Sequence, residues 1–388
     1  MKSIISIFTI LLTISASVYG QEYERYKTLS DTLLYSESLG FDKKISLTVP
    51  FEYQGDVNEK SFPLIIVFDS QNQRSYNYII RTIDYLTSNE QMPASIIIGV
   101  ESTSKNRYKE TQFELSDKDA FGSKNERFIF DELIPFAQNN LRANNFNLLI
   151  GHSRYGYFTS FLLTKYFEEL NAVIALSPFM HQKNVNLTDS LVHLYTNYVM
   201  DKHLYYRFGI GNDYPEDFNE LNSKLNMSTQ ANERINFKGV LFEEAGHTST
   251  PGLAVGSGLY DVFEFWSKQQ NTYMDNDNRD ISSFNTLSDH VTGHYGVPLK
   301  FSLGTLNGKG WSFFNESEYT LAIDAWKKMM QEYPAFSEGY LYIVAAQKEL
   351  DQDYTETLKQ LERSLETTQF YSEEDLIEFR NEIQALKK

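Results

Sequence analysis

Leu148-Leu149-Ile150-Gly151-His152-Ser153-Arg154-Tyr155-Gly156 runs an apolar strand straight into a Gly-X-Ser turn, and residues 158–167 beyond it carry a helical pattern. Strand, tight turn and helix together are the context of a nucleophile elbow, in which strained backbone angles lift the serine hydroxyl clear of a sheet. The helix starting below such a serine also favours negative charge at its N-terminus. Ser153 is therefore the candidate nucleophile. Glycine usually stands at the second place after the serine; here Tyr155 occupies it, with Gly156 next. A large side chain there is expected to crowd the strand behind the elbow.

Similar apolar runs recur on both sides. Residues 45–49, 64–68, 95–100, 146–150, 172–176, 204–210 and 240–242 read as strands, separated by helix-capable stretches such as 76–88 and 126–141. Runs that are apolar at every residue, such as Leu64-Ile65-Ile66-Val67-Phe68, mark strands covered on both faces. Their alternation with helices predicts an α/β fold with a doubly wound, mostly parallel sheet. A long polar loop is expected over 101–123.

A serine nucleophile needs a base, and the base needs an orienting acid. His247 follows the last strand through Glu243-Glu244-Ala245-Gly246 and precedes a helix around 259–266, which makes it the candidate base. Asp213 ends Gly211-Asn212-Asp213 at the close of strand 204–210 and is the candidate acid, with Glu216 and Asp217 as alternatives one loop away. The chain order Ser, Asp, His suits a strand–turn–helix nucleophile. Oxyanion donors are expected at the backbone N–H of Arg154 and in the loop after strand 64–68, at Ser70 or Gln71. The Arg154 guanidinium, beside the nucleophile, is suited to a carboxylate or phosphate on a substrate. His152 reads as structural, and His181, His193 and His203 as surface residues. His290 and His294 are four apart, but in a Gly- and Pro-containing segment with no carboxylate to complete a set, so no metal site is expected.

The chain has 388 residues, 35 Lys and Arg against 52 Asp and Glu, a formal charge of −17 and no cysteine. The acidic balance argues against a nucleic-acid partner, because phosphate binding needs a cationic surface. Absence of cysteine removes disulfides, thiolate nucleophiles and Cys-ligated zinc. Lys2, the apolar run 4–18 and small residues Ala16, Ser17 and Gly20 have the flanks of a signal peptide cut after Gly20. A periplasmic or secreted protein without a membrane span in its mature chain is expected. The Asn-X-Ser/Thr triplets at Asn186, Asn226 and Asn315 are then coincidences.

After about Lys268 the pattern changes. Residues 1–20 read as the leader, 21–268 as the α/β domain, 269–300 as a polar linker and 301–388 as helical. Tyr319, Ala322 and Trp326 at helical spacing, the Tyr333-Pro334 break and a second amphipathic pair over 337–350 and 354–365 are similar to a tetratricopeptide (TPR) repeat. Two helical hairpins bury little alone, so they are expected to dock on the α/β domain or on a protein partner.

Several segments in order give the chain its resemblance to a known family. They are 63–69, Gly99-Val100 with Arg107 downstream, 128–135, Gly151-His152-Ser153, Ala175-Leu176-Ser177-Pro178 and Gly246-His247. Over about 45–266 the sequence resembles the putative-esterase family of α/β-hydrolases, which includes esterase D and enterochelin esterase-like members. The resemblance implies hydrolysis of small-molecule or carbohydrate-linked carboxylic esters, such as siderophore, feruloyl or acetyl esters, without metal or organic cofactor. It also implies Ser153 as nucleophile, His247 as base and Asp213 as acid. Tyr155 and Ser70 depart from it where the family carries glycine. The alternative is an inactive member that binds through its cleft and its helical tail.

Overall fold

β-branched and aromatic runs build the sheet. In the computed structural model, which describes residues 25–387 apart from 30, 55–61, 114–119, 183–184 and 369, the strands are β1 (Tyr26–Thr28), β2 (Thr32–Ser36), β3 (Phe41–Pro50), β4 (Phe62–Phe68), β5 (Ile96–Val100), β6 (Ala143–His152), β7 (Ala172–Leu176), β8 (His181–Gln182), β9 (Val185–Asn186), β10 (Leu204–Ile210) and β11 (Ile235–Leu241). The expected leader, residues 1–20, lies outside the described residues. Strands run in the order β1-β3-β5-β4-β6-β7-β10-β11, with β2 also on β3. From β5 to β11 every pairing is parallel, and the β1, β2 and β3 edge is antiparallel. The doubly wound α/β class predicted from alternating runs is the one observed.

Helices follow as α1 (Gln73–Ser88), α2 (Ser104–Glu110), α3 (Gly122–Arg127), α4 (Ile134–Asn140), α5 (Arg154–Lys165), α6 (Leu187–Asn197), α7 (Pro215–Met227), α8 (Thr250–Met274), α9 (Ser283–Tyr295), α10 (Leu303–Asn315), α11 (Tyr319–Glu332), α12 (Gly339–Glu349), α13 (Thr355–Thr367) and α14 (Glu373–Leu386). All residues of β4, β5 and β7 are buried, because helices cover both sheet faces. On one face Ile65, Ile97, Phe146 and Ile150 pack with Ile80 and Ile83 of α1 and Leu259 and Trp266 of α8. On the other, Leu64, Ile66, Ile98 and Leu149 meet Phe158 and Leu162 of α5, Leu191 of α6 and Leu221 of α7.

The segment 269–300, read as a linker from its Asn, Asp and Ser, holds the end of α8 and all of α9. Phe284, Leu287, Val291 and Tyr295 of α9 are buried on the sheet side. Its polar residues are solvated faces and caps: Asp280 accepts from the Ser282 N–H and hydroxyl at 2.9 and 2.6 Å. His290 and His294 therefore lie on a helix after all. Beyond α9 the helices are not a detached appendage. Leu306, Trp326, Met329 and Ile343 belong to the same apolar cluster as Ile65, Phe146 and Trp266. No helix among the described residues is long and apolar enough to cross a membrane.

Candidate active site

The chain enters the parallel sheet at β4, moves to β5 on one side, then returns to β6 on the other. Such a reversal opens a crevice at the C-terminal strand ends. Asp69 to Gln71 leave β4 there, Ser153 leaves β6, Asp213 follows β10 and His247 follows β11.

Ser153 has φ 60° and ψ −118°, a strained region for a side chain with Cβ that costs of order 1–3 kcal/mol and persists only when its surroundings enforce it. Its N–H donates to Leu176 O at 2.8 Å, and α5 begins at the next residue. Gly151 is required beside it: a Cβ there would lie 2.2 Å from the Tyr155 carbonyl oxygen. As the first residue of α5, Arg154 has a backbone N–H that no carbonyl of its own helix can accept.

Tyr155 does not crowd the elbow. Its ring is fully buried, stacks on Phe68 at 4.8 Å and 9°, and its hydroxyl donates to Glu110 Oε2 at 2.5 Å. The same oxygen accepts from Lys43 Nζ at 2.7 Å and Ser102 Oγ at 2.8 Å. Burial, then the Glu110 charge, pushes the Tyr155 pKa well up, and burial pulls that of Lys43 down. The side chain at the usual glycine position is thus a strut joining α5, α2 and β3. Gly156 takes the close approach instead: a Cβ on it would sit 3.1 Å from Leu176 O.

His247 Nδ1 lies 2.5 Å from Asp213 Oδ2. The loops carrying the two are stitched together, since the Asn212 N–H donates to Ala245 O at 2.8 Å. Gly211 permits this, because a Cβ there would meet Ala245 O at 2.2 Å. Ser177 Oγ approaches Asp213 Oδ1 at 3.4 Å. Of the alternatives, Asp217 accepts from the Met180 N–H at 2.9 Å and from His181 Nδ1 at 3.0 Å, and Glu216 is exposed. His181 thus has a carboxylate partner.

His152, which sequence marks only as structural, packs its ring 4.7 Å from that of His247. Its Nε2 is 2.9 Å from the His247 carbonyl oxygen. Burial lowers its pKa, so the neutral ring donates to that carbonyl and fixes the His247 backbone. Arg107, named only as a family segment, bridges two loops. Its Nε reaches both Asp69 oxygens, at 3.0 and 2.8 Å, and its Nη2 reaches His152 O at 3.2 Å.

The Ser70 N–H, one expected oxyanion donor, is committed to Val100 O at 3.2 Å, because the turn folds back toward β5. That of Gln71, the other, has no hydrogen-bond partner among the described residues. The Gln71 side chain holds the turn through Asp69 Oδ1 at 2.9 Å and the Ser102 N–H at 2.8 Å. Arg154 stacks 4.1 Å over Tyr108 and donates to Thr111 Oγ1 at 3.1 Å. No carboxylate among the described residues pairs with it, and burial lowers its pKa.

His203 and His294 stack at 3.6 Å, and His294 Nε2 meets the Tyr205 hydroxyl at 2.7 Å. His203, read as a surface residue, is thus half-buried against His294. No group of three or more metal-ligating side chains occurs among the described residues.

A parallel sheet with a strained serine at its switch point and a His–Asp pair on the next loops defines an α/β-hydrolase-like enzyme. The sequence profile of the family described as Putative esterase matches residues 36–274. The chain belongs to that family, and with it to the carboxylic ester hydrolases. No curated protein sequence matches it. Among solved structures, an IroE-like serine hydrolase from Shewanella oneidensis superposes with TM-score 0.59 at 17% identity, over 80% of this chain and 99% of its own. An uncharacterised protein from Capnocytophaga ochracea gives 0.58 at 13%, over 92% and 100%. Siderophore hydrolase EstB from Aspergillus nidulans gives 0.51 at 15%, over 64% and 98%. At these identities the likeness is one of fold.

Proposed function

We propose that Ser153, His247 and Asp213 act as a triad in a periplasmic or secreted esterase. The observation that carries this reading is the 2.5 Å Asp213–His247 contact on loops at the same sheet edge as the strained Ser153. His247 Nε2 takes the Ser153 hydroxyl proton while Oγ attacks the ester carbonyl carbon. The N–H groups of Arg154 and Gln71 receive the oxyanion. Collapse breaks the C–O bond to the alcohol, which leaves with the proton held by His247. Water, deprotonated by the same imidazole, then releases the acid from the acyl-enzyme. Asp213 holds the ring in the tautomer with Nδ1–H and stabilises the imidazolium.

The substrate class is a small-molecule or carbohydrate-linked carboxylic ester, siderophore, feruloyl or acetyl esters included. Arg154 receives an anionic group on it. The leader pattern in 1–20 supports export, and the C-terminal hairpins are TPR-like units packed on their own hydrolase core. The test is hydrolysis of p-nitrophenyl acetate and butyrate by the chain and by Ser153→Ala, with fluorophosphonate labelling of Ser153. A Ser153→Ala protein that turns over as fast as the parent overturns the assignment.

A further inference from the structure

Ser153, His247 and the Arg154 guanidinium are ordered along the sheet edge. The strands run β5-β4-β6-β7-β10-β11, and Ser153 leaves β6. His247 and Asp213 follow β11 and β10, on one side of it. The closest partners of the guanidinium follow β5, on the other side. Tyr108 lies under its plane at 4.1 Å, Thr111 Oγ1 accepts from Nε at 3.1 Å, and Gln112 Oε1 is 3.5 Å from Nη2. Nη1 has no acceptor among the described residues. Two rings stand between this cation and the base. Phe179 is centred 5.8 Å from Arg154 Cζ and 6.1 Å from Tyr214, and Tyr214 meets His247 edge-on at 5.8 Å. Phe179, Tyr214, His247 and Arg154 are half-buried and Tyr108 is exposed, so the whole row can meet a solute.

Charge divides in the same direction. The loops 211–217 and 242–249 carry Asp213, Glu216, Asp217, Glu243 and Glu244 and no Lys or Arg. In 101–113 the two carboxylates, Glu101 and Glu110, are paired with Lys44 and Lys43 of β3. That segment also holds Lys105, Arg107 and Lys109, of which Arg107 is held by Asp69. In acyl transfer the imidazole protonates the leaving oxygen. The alcohol half of an ester therefore extends toward the acidic His247 side, and the acid half toward Arg154.

Resting on the reading of Ser153 as nucleophile, we propose that the preferred substrates are half-esters of dicarboxylic acids. The free carboxylate of the acid half seats on Arg154 between Tyr108 and Phe179, and an uncharged alcohol half lies against Tyr214. A planar guanidinium with open donors matches a carboxylate, and the carboxylates around the base repel an anion on the alcohol. The Ser153 Oγ–acyl bond forms as the C–O bond to the alcohol breaks, and the alcohol leaves with the proton taken from Ser153. Water then gives its hydroxyl to the acyl carbon and its proton, through His247, to Ser153, which releases the dicarboxylate.

The test compares kcat/KM, followed in a pH-stat, for three esters. Ethyl hydrogen glutarate carries the carboxylate on the acid half, ethyl pentanoate has a methyl in its place, and 3-butyryloxypropanoate is the isomer with the carboxylate on the alcohol half. The glutarate ester should exceed ethyl pentanoate at least about tenfold, as a charged hydrogen bond implies, and the isomer should not exceed ethyl pentanoate. Arg154→Gln should bring the glutarate-to-pentanoate ratio to within about threefold of one, since a ratio taken within one protein cancels damage common to both esters. A parent ratio near one, an isomer faster than the glutarate ester, or a ratio that survives Arg154→Gln overturns the proposal. The first two readouts need no variant. If Ser153→Ala turns over p-nitrophenyl acetate as fast as the parent, the esterase site falls and this proposal with it. If that turnover depends on Ser153 but the glutarate preference is absent, this proposal alone falls.

Discussion

The Tyr155 hydroxyl donates to Glu110 Oε2 at 2.5 Å, which ties the first turn after the elbow to the far end of α2. Glu110 is fully buried, receives three donors on this oxygen, and has none on Oε1. Tyr155 is therefore needed for stability at a position where glycine is usual. Tyr155→Phe should lose about 1–3 kcal/mol, the cost of removing a buried donor to a charged group. Tyr155→Gly, which also empties the ring's space, should lose about 3–5 kcal/mol. Urea unfolding checks both, and a glycine variant as stable as the parent would refute the strut.

Replacing the proposed acid separates the alternatives that the sequence leaves open. Asp213→Asn should lower kcat by roughly 10³–10⁴, because the His247 tautomer is lost. Asp217→Asn, which releases His181 and the Met180 N–H, should leave kcat within about threefold, as expected for a group outside the chemistry. The readout is kcat for p-nitrophenyl acetate with circular dichroism as the folding control.

Arg107 joins the Asp69 turn to the elbow carbonyl of His152. Arg107→Lys cannot reproduce its planar fork, and kcat should fall at least about tenfold with KM little changed, since a misplaced oxyanion turn is felt in the transition state. A loss confined to KM would place Arg107 in substrate binding instead.

Arg154 offers donors beside the proposed nucleophile Ser153, with no carboxylate partner among the described residues. Arg154→Ala should cut kcat/KM about tenfold or more for esters bearing a carboxylate, as for loss of a charged hydrogen bond. Neutral p-nitrophenyl acetate should change far less. Equal losses on both substrates would remove the anion-binding role.

Low pH should destabilise the protein through His294. Burial, then neighbouring His203 and Arg234, lower its pKa from 6.5 to about 3. A histidine depressed in the folded state is protonated first in the unfolded chain, so stability is intact above pH 6.5 and falls as pH drops toward 3. The slope is at most about 1.4 kcal/mol per pH unit, and less after solvent screening of this half-buried group. His294→Gln keeps an acceptor for the Tyr205 hydroxyl and should flatten the fall in melting temperature between pH 6.5 and 4. An unchanged slope would remove His294 from the account.

Much of the fold was legible because fully apolar runs such as 64–68 and 172–176 permit little besides strands buried on both faces. The apolar pattern marks only 240–242 of β11, because an edge strand carries Asn236 and Lys238 among its apolar residues. The α9 segment has the composition of a linker because it is amphipathic, with Asn, Asp and Ser on its wet face. At the site, residue types and order pointed to Ser153, Asp213 and His247. The supporting contacts of His152, Arg107 and Glu110 depend on which loops meet in space, and spacing along the chain holds no record of that. The commitment of the Ser70 N–H to Val100 likewise appears only once the turn is folded.

Helix α8 begins three residues after His247 and continues through 25 residues to Met274, across the position where composition changes. At 1.5 Å per residue it is a rod of about 37 Å, rooted at one end in the histidine loop and at the other beneath α10. A graft of the hydrolase alone would have to saw through this rod and strip Trp266 of its cover. The helical region is in that sense a gable of the same building, and any shortened or chimaeric version has to carry it along.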